Sequence, residues 1–236
     1  LRSLVGSEMC IRDSTYTEKP GDLNDLNLHK LQLKLATKLA NCGKPIILVL
    51  NIGRPRLISE IEPFMSAVVN IYLPGNLGAD ALVDIISGQV NPSGKLPYTY
   101  PAFPNSLATY YYKPSEVQNN SQGAYNYVGE LNNLYEFGFG LSYTKYNYSD
   151  FIIKNDTLTF NDSISASVNL KNTGKVDGFE TVQIYSSDLV ASISPDNKRL
   201  RAFKKVFVQA GETKNVEFKI PIQDLAFVNI KNEFVV

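Results

Sequence analysis

Tryptophan is absent from these 236 residues, and histidine occurs once, as His29. A single imidazole excludes most Ser-His-Asp and Cys-His nucleophile schemes, and the His-rich zinc sites with them. Cysteine is nearly as scarce: Cys10 and Cys42 are too few for a disulfide framework. Neither charge dominates, with 23 basic against 23 acidic residues, so no basic field marks a nucleic-acid surface. The longest apolar run, Pro45 to Leu50, falls far short of the ~20 residues a membrane span needs. No cofactor or metal is implied. What the chain does have is aromatic: 14 tyrosines and 12 phenylalanines.

The first residues stand apart. Ser3 to Ser14, SLVGSEMCIRDS, shows neither helical nor strand periodicity and no signal-peptide layout. Glu8 to Ser14 back-translates as GAG ATG TGT ATA AGA GAC AG-N, which resembles the end of a transposon-based sequencing adapter. Residues 1–14 are therefore expected to be a non-native tail without regular structure, and the native sequence to begin near Thr15. Cys10 falls in that tail. Cys42, at the end of a helical pattern, is expected to be a small buried apolar residue.

Two periodicities divide the rest, and the length admits one or two domains of ~100–200 residues. Leu28, Leu31, Leu35 and Leu39 recur at helical spacing within Asn24–Ala40, with Lys30, Lys34 and Lys38 on another face. Gly43 and Pro45 end that helix. The run IILVLNI (46–52) predicts a strand buried on both faces of a parallel sheet. A short helical segment over 57–62, a strand over 67–73 and a helix over 79–86 continue the alternation, which implies right-handed crossovers in an α/β layer. A Tyr- and Asn-rich stretch over 101–147 reads as a connector whose tyrosines pack rather than bind sugar. From Tyr148 the period becomes two. Ile164, Ala166, Val168 and Leu170 alternate with polar residues, as do Val216, Phe218 and Ile220. Short alternating strands between turns at 172–174 and 210–212 predict an antiparallel β-sandwich over 148–236.

Together the motifs resemble one family. YTEKPGD (16–22), GKPIILVLNIGRP (43–55), YLPGNLGADALVDIISGQVNPSGKLPYTYP (72–101) and LYEFGFGLSYTKYNYS (134–149) carry the likeness. Downstream, NTGKVDGFETVQIY (172–185), RLRAFKKVFVQAGET (199–213) and DLAFVN (224–229) extend it. These are similar to the second half of glycoside hydrolase family 3, the β-glucosidase and exo-glucanase group. The resemblance implies that 15–100 is the C-terminal half of an α/β-sandwich domain. It makes 148–236 a fibronectin type III-like domain, cut short at Val236. The family's first domain, a barrel carrying the nucleophilic aspartate, has no counterpart in these residues. That barrel of the same chain is the implied partner, a β-linked glucoside or oligosaccharide the implied substrate, and the periplasm or exterior the implied location.

Members of that family are retaining glycosidases, which need two carboxyl groups ~5–5.5 Å apart, one nucleophile and one acid/base. The Y-x-E-x-x-G-D pattern falls on Tyr16, Glu18, Gly21 and Asp22. The resemblance thus implies Glu18 as the acid/base, delivered on a loop to a sugar held by the barrel, and Tyr16 as a substrate contact. Asp22 reads as a turn aspartate that orients the loop, and Arg54 as one member of a structural ion pair. Asn91 to Gly94, NPSG, lacks the lysine and helix of a phosphate-binding loop. The bland reading of Glu18 is a solvated surface glutamate. A chain built on that reading is a non-catalytic carbohydrate-binding or structural protein. Long-read sequencing of the source locus separates the possibilities: a barrel upstream of Thr15, with residues 3–14 missing, is the expected result. Recovery of residues 3–14 in frame refutes the adapter origin.

Overall fold

The computed structural model describes residues 7–12, 23–104, 106, 109–113, 133–155 and 157–236. They divide into two compact units. The first comprises 1–87, 100–108 and 132–135; the second comprises 88–99, 109–131 and 136–236.

In the first unit, β2 (Ile46–Asn51) lies between β1 (Ser7–Arg12) and β3 (Ala67–Asn70), all parallel. Ile46, Leu48, Val49, Leu50 and Ile52 are at most 1% exposed, so β2 buries both faces as its unbroken apolar run requires. Each such side chain contributes about 1.5–3 kcal/mol. Residues 7–12, expected to lack regular structure, form β1 in register with β2 from Ser7↔Ile46 to Arg12↔Asn51. A ladder is made of main-chain N–H and C=O groups, which every non-proline residue carries. A buried strand's open edge can therefore order a segment that has no period of its own.

Helix α1 (Lys30–Ala40) begins later than the leucine spacing suggests. His29 caps it: its Nδ1 accepts from the Leu31 amide, while Gln32 Oε1 accepts from the His29 amide. The helix buries Ala36, whereas of the leucine stripe only Leu28, ahead of the helix, is buried: Leu39 is half-buried, and Leu31 and Leu35 are 69% and 52% exposed. Cys42 is exposed rather than buried, because it follows the helix cap at Asn41, in the turn before Gly43. A 3₁₀ turn at Glu62–Phe64 replaces most of the short helix expected there, and α2 (Gly78–Ile86) matches its expected span. Strands β4 (Tyr100–Pro101) and β5 (Asn133–Tyr135) complete the unit as an antiparallel pair.

The second unit is the expected antiparallel sandwich. Strands β6 (Tyr146–Ile153), β7 (Ser163–Asn172) and β10 (Thr213–Pro221) form one sheet, ordered β10-β7-β6. Strands β8 (Gly178–Ser186) and β9 (Arg199–Val208) form another, and β11 (Phe227–Val228) pairs with β12 (Phe234–Val235). Val168, Leu170, Val216 and Phe218 meet Val182 and Val208 in the core. The alternation read from the sequence is the burial alternation of β10, whose Val216 and Phe218 lie opposite Val168 and Ala166 of β7; in β7 the polar Ser167 is buried between them.

Two polar residues lock this unit. Asn172 is fully buried with its amide satisfied on both sides. Its Oδ1 accepts from Thr144 Oγ1 and the Gly174 amide, and its Nδ2 donates to the Val176 and Val208 carbonyls. The NPSGKLP motif forms the second lock. Asn91 Oδ1 accepts from Ser142 Oγ and the Tyr143 amide, while its Nδ2 reaches the Asp177 carbonyl. Leu96 exchanges main-chain bonds with Phe139 and Gly138. A Cβ at Gly140 would collide with the Gly94 carbonyl, so the glycines of FGFG are there for close approach. Lys95 Nζ sits 3.3 Å from the buried carboxylate of Glu180 and donates to the Gly140 carbonyl. Tyr148 donates to the other oxygen of Glu180 at 3.0 Å. Burial, then the Glu180 charge, pushes the Tyr148 phenol well above its usual range.

Removing one partner of that ion pair strands the other. Lys95→Met is expected to destabilise the second unit by about 2–4 kcal/mol in urea melts, somewhat below the range for a fully buried pair. The double variant Lys95→Met/Glu180→Met should lose less than the sum of the two single changes. Strict additivity would show that the pair is not coupled.

Candidate active-site edge

Parallel strands place their carboxyl ends on one edge, and in open α/β sheets that edge is where ligands bind. Here it is formed by the ends of β1 at Arg12, β2 at Asn51 and β3 at Asn70. The chain leaves β1 at Arg12 and enters the stretch that holds Tyr16, Glu18, Gly21 and Asp22, all of which lie outside the described residues. After β2 come Ile52, Gly53 and Arg54, with Arg54 half-buried. After β3, Tyr72 takes a positive φ of 51°, and its amide donates to Asn70 Oδ1 at 3.2 Å.

The downstream end of the loop is anchored in detail. Asp25 Oδ1 accepts from both the amide and the Nδ2 of Asn27, closing an Asx turn. Asn27 bridges Leu57 in parallel, and the Leu57 amide donates to the Leu26 carbonyl. Arg56 Nη1 spans the carbonyls of Asp25 at 3.1 Å and Asn27 at 3.4 Å. Behind Arg56, the buried Tyr100 donates to the Arg56 carbonyl at 2.6 Å. Tyr135 packs edge-on against Tyr100 and donates to Glu62 Oε1 at 2.8 Å. Burial, then the bond to Glu62 and its charge, lifts the Tyr135 phenol well above its normal range.

Thus a residue the sequence reading passed over, Arg56, holds the segment that follows the loop, two positions from the Arg54 it singled out. Nothing in the sequence separates the two arginines; only the path of Asp25 to Asn27 beside Leu57 does. Two further tyrosines of the expected connector make ring contacts. Tyr110 stacks on Phe137 at 4.1 Å and meets Tyr185 edge-on, and Tyr111 lies under Arg199. Tyr125 and Tyr127 lie outside the described residues.

Residues 5–143 match the glycosyl hydrolase family 3 C-terminal domain, and residues 180–236 match a fibronectin type III-like domain. The chain is 35% identical over 211 residues to a periplasmic beta-glucosidase of Salmonella typhimurium, covering 87% of this chain and 28% of that protein. It is likewise 35% identical to a beta-xylosidase of Formosa agariphila, over 89% of this chain and 29% of the other. A solved beta-glucosidase from Listeria innocua in complex with isofagomine superposes with a TM-score of 0.86 at 29% identity, over 97% of this chain and 33% of that one. The chain spans a third or less of the length of these relatives. With the C-terminal domain matched over more than half its residues and the trailing sandwich accounted for as well, the chain belongs to glycosyl hydrolase family 3.

Proposed function

We propose that this chain is the acid/base-bearing part of a retaining β-glycosidase that hydrolyses terminal β-D-glucosidic bonds of oligosaccharides. The observation that carries the reading is the YTEKPGD pattern over 16–22 in a chain of this family, followed by a segment, Asp25 to Asn27, that Arg56 ties down. Glu18 protonates the departing glycosidic oxygen and then, as carboxylate, takes the proton from the water that frees the sugar. The nucleophile belongs to the barrel of the complete protein. Tyr16 lies two residues from Glu18 and contacts the substrate; Asp22 orients the loop. The Arg56 anchor serves the same end, because a retaining pair works only within the ~5–5.5 Å separation and a loosened loop loses it. A β-xyloside is the second reading of the substrate, supported by the Formosa relative's printed name. The Salmonella relative's name supports a periplasmic or secreted location.

The 236-residue chain alone is expected to show no turnover of an aryl β-glucoside. It holds a proton donor without a nucleophile or a bound sugar. Measurable activity of the pure chain would overturn the division of labour proposed here.

In the complete gene product, Glu18→Gln is expected to slow substrates with poor leaving groups by ~10²–10⁴-fold, the usual contribution of general acid catalysis. Aryl glucosides with acidic leaving groups need little protonation, so they should still glycosylate the enzyme. Azide should then restore turnover, since it attacks the glycosyl-enzyme without base assistance. Equal slowing of all substrates, with no rescue by azide, would exclude Glu18 as the acid/base.

A further inference from the structure

The sandwich carries a cleft that is no part of the catalytic reading. Strands β8 and β9 run in register until a bulge at Ile184/Tyr185, after which Ser186 pairs with Arg199. Beyond the bulge the chain makes an excursion over 187–198, pinned at its base by Ser187 Oγ donating to the Asn197 carbonyl at 2.6 Å. That excursion, the start of β9 and the segment from Leu225 to Val228 with Phe234 enclose an open cleft of about 400 Å³. The volume lies within the ~300–1,000 Å³ usual for small-molecule sites.

Its two walls differ in kind. Arg199 and Arg201 are two apart on β9 and so share a face. Asp196 accepts from Lys113 Nζ at 2.7 Å and from Arg199 Nε. Burial would raise the Asp196 carboxyl, but the bonds from Lys113 and Arg199 and their charges hold it below the usual range, ionised at neutral pH. Asp188 and Ser186 add further acceptors to this wall. The opposite wall is apolar: Phe227, Val228 and Phe234, with Val228 43% and Phe234 76% exposed.

Arg201 takes part in neither ion pair of this wall. Its Nε donates to Ser186 Oγ at 2.8 Å and its Nη1 to the Asp224 carbonyl, both neutral acceptors. Its Nη2 makes no hydrogen bond among the described residues. Burial and the neighbouring Arg199 charge pull the guanidinium pKa down from its ordinary value, although Tyr110, Asp196 and Asp224 act the other way. A carboxylate in the cleft would supply a charged hydrogen-bond acceptor, which neither the Ser186 hydroxyl nor the Asp224 carbonyl is, in the planar geometry arginine suits best. The remaining carboxylates and hydroxyls suit a ligand rich in O–H groups, and the phenylalanines suit its C–H face.

We propose that this cleft is a non-catalytic saccharide site for a uronate residue, with Arg201 binding the carboxylate, Asp188 and Asp196 the ring hydroxyls, and Phe234 the apolar face. The site lies wholly within the second unit and stands whether or not Glu18 is the acid/base. Calorimetric titration of the 236-residue chain with methyl β-D-glucuronide, methyl β-D-glucoside and inorganic sulfate tests it. The glucuronide is expected to bind at least ~10-fold tighter than either other probe, in line with one charge-assisted hydrogen-bond pair. Arg201→Met should remove that preference. Phe234→Ala, at an exposed position that leaves the fold intact, should weaken the glucuronide roughly threefold or more. Equal binding of glucoside and glucuronide, sulfate matching the glucuronide, no binding of any probe, or a preference unchanged in both variants would each overturn the proposal.

Discussion

Two-sided burial of β2 is the constraint from which the first unit follows. A strand with every side chain from Leu48 to Leu50 excluded from water needs cover on both faces and pairing on both edges. Parallel pairing with β1 and β3 meets the second demand and sets three carboxyl ends side by side. The chain between Arg12 and residue 23 starts from that edge, and the stretch after it is tied down by Arg56 and the Leu26–Leu57 contacts. On the proposed reading, a catalytic carboxylate at Glu18 would owe its position to the anchored segment that follows it, with stability supplied by the sheet.

The second unit solves a different problem. Its core is small, and its specificity draws on buried polar groups that are paired, with Thr99 Oγ1 and Tyr146 Oη as exceptions. Asn172 uses its whole amide, and Lys95 and Glu180 neutralise each other beside Tyr148. Half-satisfied, such groups would cost more than apolar replacements; complete, they admit one arrangement of the turns around them. NPSGKLP and FGFGLSY read in this light as the two halves of one backbone lock. The NPSG turn that superficially resembles a phosphate cradle spends its donors and acceptors on Ser142, Tyr143 and Asp177.

Much of this was legible in the sequence, because the unbroken apolar run of β2 and the alternation of β10 match their burial; β7 departs at Ser167, which is buried between Ala166 and Val168. Leu31 and Leu35 of α1 were legible as helical but not as exposed: spacing reports which residues share a face, not what covers it. The start of α1 escaped notice since histidine is an unusual cap, and its partner Gln32 is what makes the cap recognisable. Residues 7–12 have no strand period, and a ladder built from main-chain groups demands none. On the loop itself, Tyr16, Glu18 and Asp22 rest on the family pattern. The Arg56 anchor depends on where residues 25–27 run, and that is a tertiary fact with no local signature.

The pH dependence of kcat/KM for a β-glucoside with a poor leaving group, compared between the complete gene product and its Glu18→Gln variant, reaches the central claim most directly. A group that must be protonated to release the aglycone produces the alkaline limb of a bell-shaped profile. The account predicts that this limb disappears in the variant while the acidic limb, set by the nucleophile, remains. An alkaline limb that persists unchanged would contradict it.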